Sequence, residues 1–69
     1  MSFPLTGQTV RCKYLDIDEL EVKVLLLDYN KIGYLNNHNL IPSMIGRTVK
    51  MIVSEVDHKR GIIKLKNKK

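Results

Sequence analysis

The 69-residue chain has the length of one small domain, residues 1–69, and carries twelve Lys and Arg against seven Asp and Glu, a net charge of +5. A domain of this size buries only about 60% of the surface its unfolded chain exposes, which leaves little room for a deep catalytic cleft. No apolar run approaches the roughly 18 residues of a membrane span, no Gly-rich phosphate loop is present, and the lone Cys12 cannot form an internal disulfide.

Strand-like alternation dominates the chain, and no window carries a convincing helical stripe. Gly7 opens a first strand in which Val10, Cys12 and Tyr14 share one face while Arg11 and Lys13 take the other. Asp16, Ile17, Asp18 and Glu19 read as a turn. Residues 21–27 form a second strand that starts by alternating and ends in three leucines, Leu25, Leu26 and Leu27. That change of pattern predicts a bulge or burial on both faces. A turn over residues 28–31 leads to a short third strand over 32–35. The longest connection follows, residues 36–45, with Pro42 inside it, a single helical turn around 40–44, and Gly46 at its close.

The last two strands form the clearest hairpin. Val49, Met51 and Val53 alternate with Lys50 and Ile52, and Ile63 and Leu65 alternate with Lys64 and Lys66. Between them residues 57–61 end in Gly61, where a left-handed backbone is usually required. The order is thus five strands, with a short helical turn between the third and fourth. Five strands in an open sheet would leave unpaired edges, and closure removes them. The predicted class is all-β, a five-stranded barrel of the oligonucleotide/oligosaccharide-binding (OB) plan.

Charge is unevenly spread. Beyond Asp57 there is no acid but six bases: Lys59, Arg60, Lys64, Lys66, Lys68 and Lys69. Residues 16–28 hold five acids, Asp16, Asp18, Glu19, Glu21 and Asp28, against the single base Lys23. A basic surface of this kind attracts phosphates through Coulomb energy and counterion release.

Several segments resemble S1 RNA-binding domains. Residues 32–40, Ile-Gly-Tyr-Leu-Asn-Asn-His-Asn-Leu, are similar to the family's block Glu-Gly-apolar-Val-His-apolar-Ser-Glu-Leu. Residues 45–53 resemble its Val-Gly-Asp-x-Val-x-Val-x-Val block, and residues 57–65 resemble its Asp-containing turn followed by Gly-Arg-Ile-x-Leu-Ser. The likeness is good from residue 32 onward and poor over 8–28. It implies a free-standing S1-like barrel that binds RNA, and the barrel plan is also similar to family members acting in translation initiation.

S1 domains that bind RNA stack bases on two aromatics of the second strand and a His of the third. The alignment puts Glu21, Val24 and Asn36 at those positions, and Ile62 where an Arg follows the glycine. The resemblance leaves Lys13, Tyr34, Asn36, Lys64 and Lys66 as the expected nucleic-acid-binding residues, with Tyr34 supplying the one ring and Lys50 a weaker candidate.

Other chemistry finds little support. Asp16, Asp18 and Glu19 lack the glycine and distal glutamate of a calcium loop. His38 and His58 have no partnered Cys for zinc. No acid/base pair suggests an enzyme, and neither cofactor nor metal is expected. The N-terminus lacks the basic start and apolar stretch of a signal peptide, so the expected location is the cytoplasm, without membrane contact. The expected function is weakly sequence-specific RNA binding through a basic strand face. The alternative is a protein-interaction module, or a small inhibitor or adaptor, on a barrel that has lost its stacking residues. A partner or dimer mate would then dock on Leu25, Leu26 and Leu27.

Overall fold

A computed structural model describes residues 2–36 and 39–67. The expected five strands are present: β1 (Thr9–Ile17), β2 (Glu21–Leu26), β3 (Lys31–Asn36), β4 (Thr48–Asp57) and β5 (Ile62–Asn67), with one 3-10 turn at Pro42–Met44 between β3 and β4. They close into a barrel in the order β1-β2-β3-β5-β4, with β4 returning to β1. All neighbours are antiparallel except β3 and β5, which run parallel.

Alternation builds the core. Cys12, Val22, Val24, Leu26, Met51, Val53 and Ile63 are wholly buried, joined by Tyr14 and Leu65. Among the glycines, Gly33 on β3 is the one where an added side chain would crowd its neighbours. A Cβ there would lie 2.8 Å from Leu26 Cδ1 and 2.8 Å from Leu65 Cδ1. The glycine lets the parallel β3–β5 seam close over the leucines.

Two register shifts explain how so few strands close. In β1 the shift falls between Tyr14 and Asp16, opposite β2. The extra residue, Leu15, resets the alternation so that both Tyr14 and Ile17 face inward. The expected turn at 16–19 is therefore displaced: β1 runs on to Ile17, and the chain reverses at residues 18–20. In β4 the shift falls between Val53 and Glu55. Thr48–Ile52 of this strand pair with β1 and Met51–Asp57 with β5, so β4 joins the two edges of the sheet, with Met51 and Ile52 paired on both sides.

No register shift interrupts β2 in its pairing with β3. Leu26 is fully buried, and Leu25 and Leu27 are half-buried on either side of it. Of the two expectations, a bulge or burial on both faces, this strand follows the second in part, and the bulge lies on the partner strand at Leu15. The β4–β5 turn is held by Asp57, whose Oδ1 accepts the backbone N–H of Lys59 and of Arg60, both at 3.1 Å. Gly61 takes φ 70° there, as expected. The β3–β4 connection is tied to β1: Gly46 N–H donates to Tyr14 O (2.9 Å) and Tyr14 N–H donates to Arg47 O (3.0 Å).

Candidate functional site

The outer face of the barrel carries a row of side chains across all five strands. Asp16 on β1 pairs with Lys23 on β2, Lys23 with Tyr34 on β3, Tyr34 with Lys64 on β5, and Lys64 with Glu55 on β4. Two lysines thus flank a half-buried tyrosine ring, each with an acid on its far side. Next to this row, Glu21 pairs with Asn36. A recess of about 230 Å³ opens here, lined by Glu21, Tyr34, Asn36, Ser54 and Lys64 together with the buried Leu35 and Leu65.

Of the five expected site residues, the structure brings Tyr34, Asn36 and Lys64 together in this recess. Lys13 stands apart on β1, opposite Leu25 and Thr48. Lys66 sits opposite Ile52 of β4, away from the recess. Lys50 lies farther round, opposite Arg11 on β1. His38, Lys68 and Lys69 lie outside the described residues.

One alignment has to be corrected. Val24 is fully buried in the core, so it cannot occupy an outward stacking position. The outward residue beside Tyr34 is Lys23. The signal for it was present in the sequence, since Val22, Val24 and Leu26 share one parity and leave Glu21, Lys23 and Leu25 on the other face. Ser54, at the β4 register shift, had no comparable signal.

A second outer row runs parallel to the first. Leu25 pairs with Lys13 and with Ile32, and Ile62 lies one step back from the Gly33–Ile63 pair, beside Ile32. Leu25, Ile32 and Ile62 are all half-buried and face outward, so they form an apolar strip across β2, β3 and β5. Ile62 is the residue found where the S1 pattern has Arg.

Elsewhere the charges pair locally. Arg11 Nη2 reaches Asp28 Oδ1 at 2.7 Å, and Arg11 Nε reaches Asp28 Oδ2 at 3.3 Å. Hydrogen bonding from Arg11 holds the Asp28 carboxyl below its ordinary range. Arg11 is thereby engaged within the chain. Burial pushes the Cys12 thiol up to about 11 and raises the Tyr14 hydroxyl as well. Among the described residues, no three His, Cys, Asp or Glu side chains converge where a metal ion could sit.

No family model matches the chain, and no curated protein does either. Solved structures do match. A chain of the a/eIF2alpha–aDim2p–rRNA complex from Pyrococcus horikoshii OT3 superposes with a TM-score of 0.79 at 20% identity, over 93% of this chain and 44% of that one. A vaccinia virus (Wisconsin strain) protein superposes with a TM-score of 0.73 at 21% identity, over 100% of this chain and 94% of the viral one. The fold is a closed five-stranded barrel of the OB plan. The chain spans less than half of the archaeal chain but nearly all of the viral protein.

Proposed function

We propose that this protein is a non-catalytic docking module of the translation machinery, an S1-like barrel that engages a protein partner in place of the S1-like part of an initiation factor. The observation that carries the reading is the apolar strip Leu25–Ile32–Ile62 on the outer face. Aliphatic side chains there offer nothing for bases to stack on. They suit the fully desolvated centre of a protein interface, with Lys13 at the edge of the strip as a polar rim. The likeness to a chain of the a/eIF2alpha complex supports the setting. The viral protein supports the idea that such a barrel can make up most of a protein.

The test is a cell-free translation extract programmed with a reporter mRNA. Purified wild-type protein is expected to lower initiation in a dose-dependent way, and excess initiation-factor alpha subunit is expected to reverse the effect. A Leu25→Glu/Ile62→Glu variant, shown by NMR to be folded, is expected to be inert. Equal activity of the two proteins, or no effect of either, would overturn the reading.

A second reading rests on the recess. Tyr34 offers one ring, Asn36 a hydrogen-bonding amide and Lys64 a charge, and the archaeal complex contains rRNA. With a single ring, and with each lysine beside it facing an acid on its far side, contact with RNA would be weak and accessory. A stacking contact contributes roughly 1–3 kcal/mol per base, and the usual set of three rings is reduced to one.

A further inference from the structure

We propose a second docking surface, at the opposite end of the barrel, for a basic amphipathic protein segment: apolar side chains carried between Lys or Arg. It does not depend on the reading above, because it shares no residue with the Leu25–Ile32–Ile62 strip.

The motivation is a concentration of exposed hydrophobics. Five large hydrophobic side chains are exposed among the described residues, and four of them belong to this end: Leu20 (83%), Ile41 (55%), Ile45 (46%) and Leu15 (37%). Leu20 sits at the β1–β2 reversal and Leu15 is the β1 bulge residue. Ile41 and Ile45 flank the 3-10 turn. The two hydrogen bonds joining Tyr14 to Gly46 and Arg47 bring Ile45 beside Leu15. A recess of about 300 Å³ lies where the connection meets the hairpin tip, lined by Ile17, Asp18, Glu19, Leu40 and Pro42. Reversals and connections usually carry polar residues. Leu20 buries little within the chain and Ile41 leaves more than half of its surface open, so most of this apolar surface is not used by the fold.

Charge decides what fits. Asp18 and Glu19 line the recess, and Asp16 and Glu21 lie beside them on the β1–β2 hairpin, within a chain whose net charge is +5. The sign of the local field is therefore opposite to that of the whole molecule. Phosphates are repelled here. A cationic segment is attracted here although the protein as a whole repels it. Apolar side chains of the segment would cover Leu20, Ile41 and Ile45, and its Lys or Arg would face the acids.

The test uses a synthetic Lys/Leu amphipathic peptide and its Glu/Leu counterpart, each titrated into the isotope-labelled full chain and followed by NMR. The Lys/Leu peptide is expected to shift the amides of residues 15–20 and 40–46, and the Glu/Leu peptide to leave them in place. Leu20→Ser/Ile41→Ser, both at exposed positions, is expected to keep the dispersed spectrum of a folded protein and to bind the Lys/Leu peptide about tenfold or more weakly. Asp16→Asn/Glu19→Gln is expected to weaken binding and reduce its salt dependence. Shifts located elsewhere, equal binding of both peptides, or unchanged affinity of the Leu20→Ser/Ile41→Ser variant would each overturn the proposal.

Discussion

Cys12 lies at the centre of the barrel with no exposed surface, and burial raises its thiol to about 11. A thiol is reactive only as the thiolate. At pH 8 the folded protein should therefore react with a thiol reagent far more slowly than the denatured chain, and near-equal rates would contradict the packing. The same shift sets a pH dependence. An unfolded chain releases this proton near pH 8.5, in the ordinary range, whereas the fold retains it to about 11. The unfolded state thus binds fewer protons between those values. The thiol's contribution is complete below pH 8.5 and is lost as pH rises through 11. Denaturant unfolding of wild type and Cys12→Val should show the wild type losing more stability over that window. Gly33 offers a second residue-scale test. An added methyl would have to displace Leu26 and Leu65, each 2.8 Å from the new Cβ. Because those contacts are the flexible ends of side chains, Gly33→Ala should fold and be destabilised by about 1–3 kcal/mol in urea unfolding.

Strands and turns were legible to different degrees, and the reason is physical. Where alternation is unbroken, as at Val10, Cys12 and Tyr14 or at Ile63 and Leu65, the sequence identifies the buried face directly. The β1 bulge was hidden because Asp16, Asp18 and Glu19 look like turn residues, and only the pairing with β2 shows the strand continuing to Ile17. The parallel β3–β5 seam has no local signature at all, since it depends on closure of the whole sheet. In the candidate site, Tyr34, Asn36 and Lys64 line one recess while Lys13 and Lys66 lie elsewhere on the barrel wall, a grouping that alternation within single strands does not encode. Family alignment placed Val24 outward against its own alternation, and the alternation was the better guide. The β4–β5 turn was legible because Gly61 is required there. With φ at 70°, Gly61→Ala should cost about 1 kcal/mol in thermal or urea unfolding. The effect would come from backbone strain alone, since nothing lies within 4 Å of a Cβ at this position.

At the scale of the whole molecule the barrel is polar along its axis. The β1–β2 hairpin carries four of the seven acids, Asp16, Asp18, Glu19 and Glu21, while the opposite end gathers Lys31 with Lys59 and Arg60 of the β4–β5 turn around Asp57. The N-terminal arm joins that basic end: Phe3 stacks on His58 with ring centroids 4.9 Å apart, and Lys31 Nζ lies 4.4 Å from the Phe3 centroid. Net charge alone would suggest that all twelve bases take part in holding RNA. The geometry implies far fewer contacts, because Lys23 and Lys64 are the bases that flank Tyr34, each with an acid on its far side. These alternatives differ in salt response. For single strands the logarithm of the affinity falls with the logarithm of salt by roughly 0.7 per phosphate contact. Two contacts predict a slope of roughly −1.4, and engagement of the whole basic population predicts one several times steeper. Titration of a short single-stranded RNA at a series of salt concentrations measures the slope. Lys23→Glu/Lys64→Glu should then remove most of the binding if the recess is its seat, whereas a steep slope that survives this substitution would transfer any RNA contact to the basic end of the barrel.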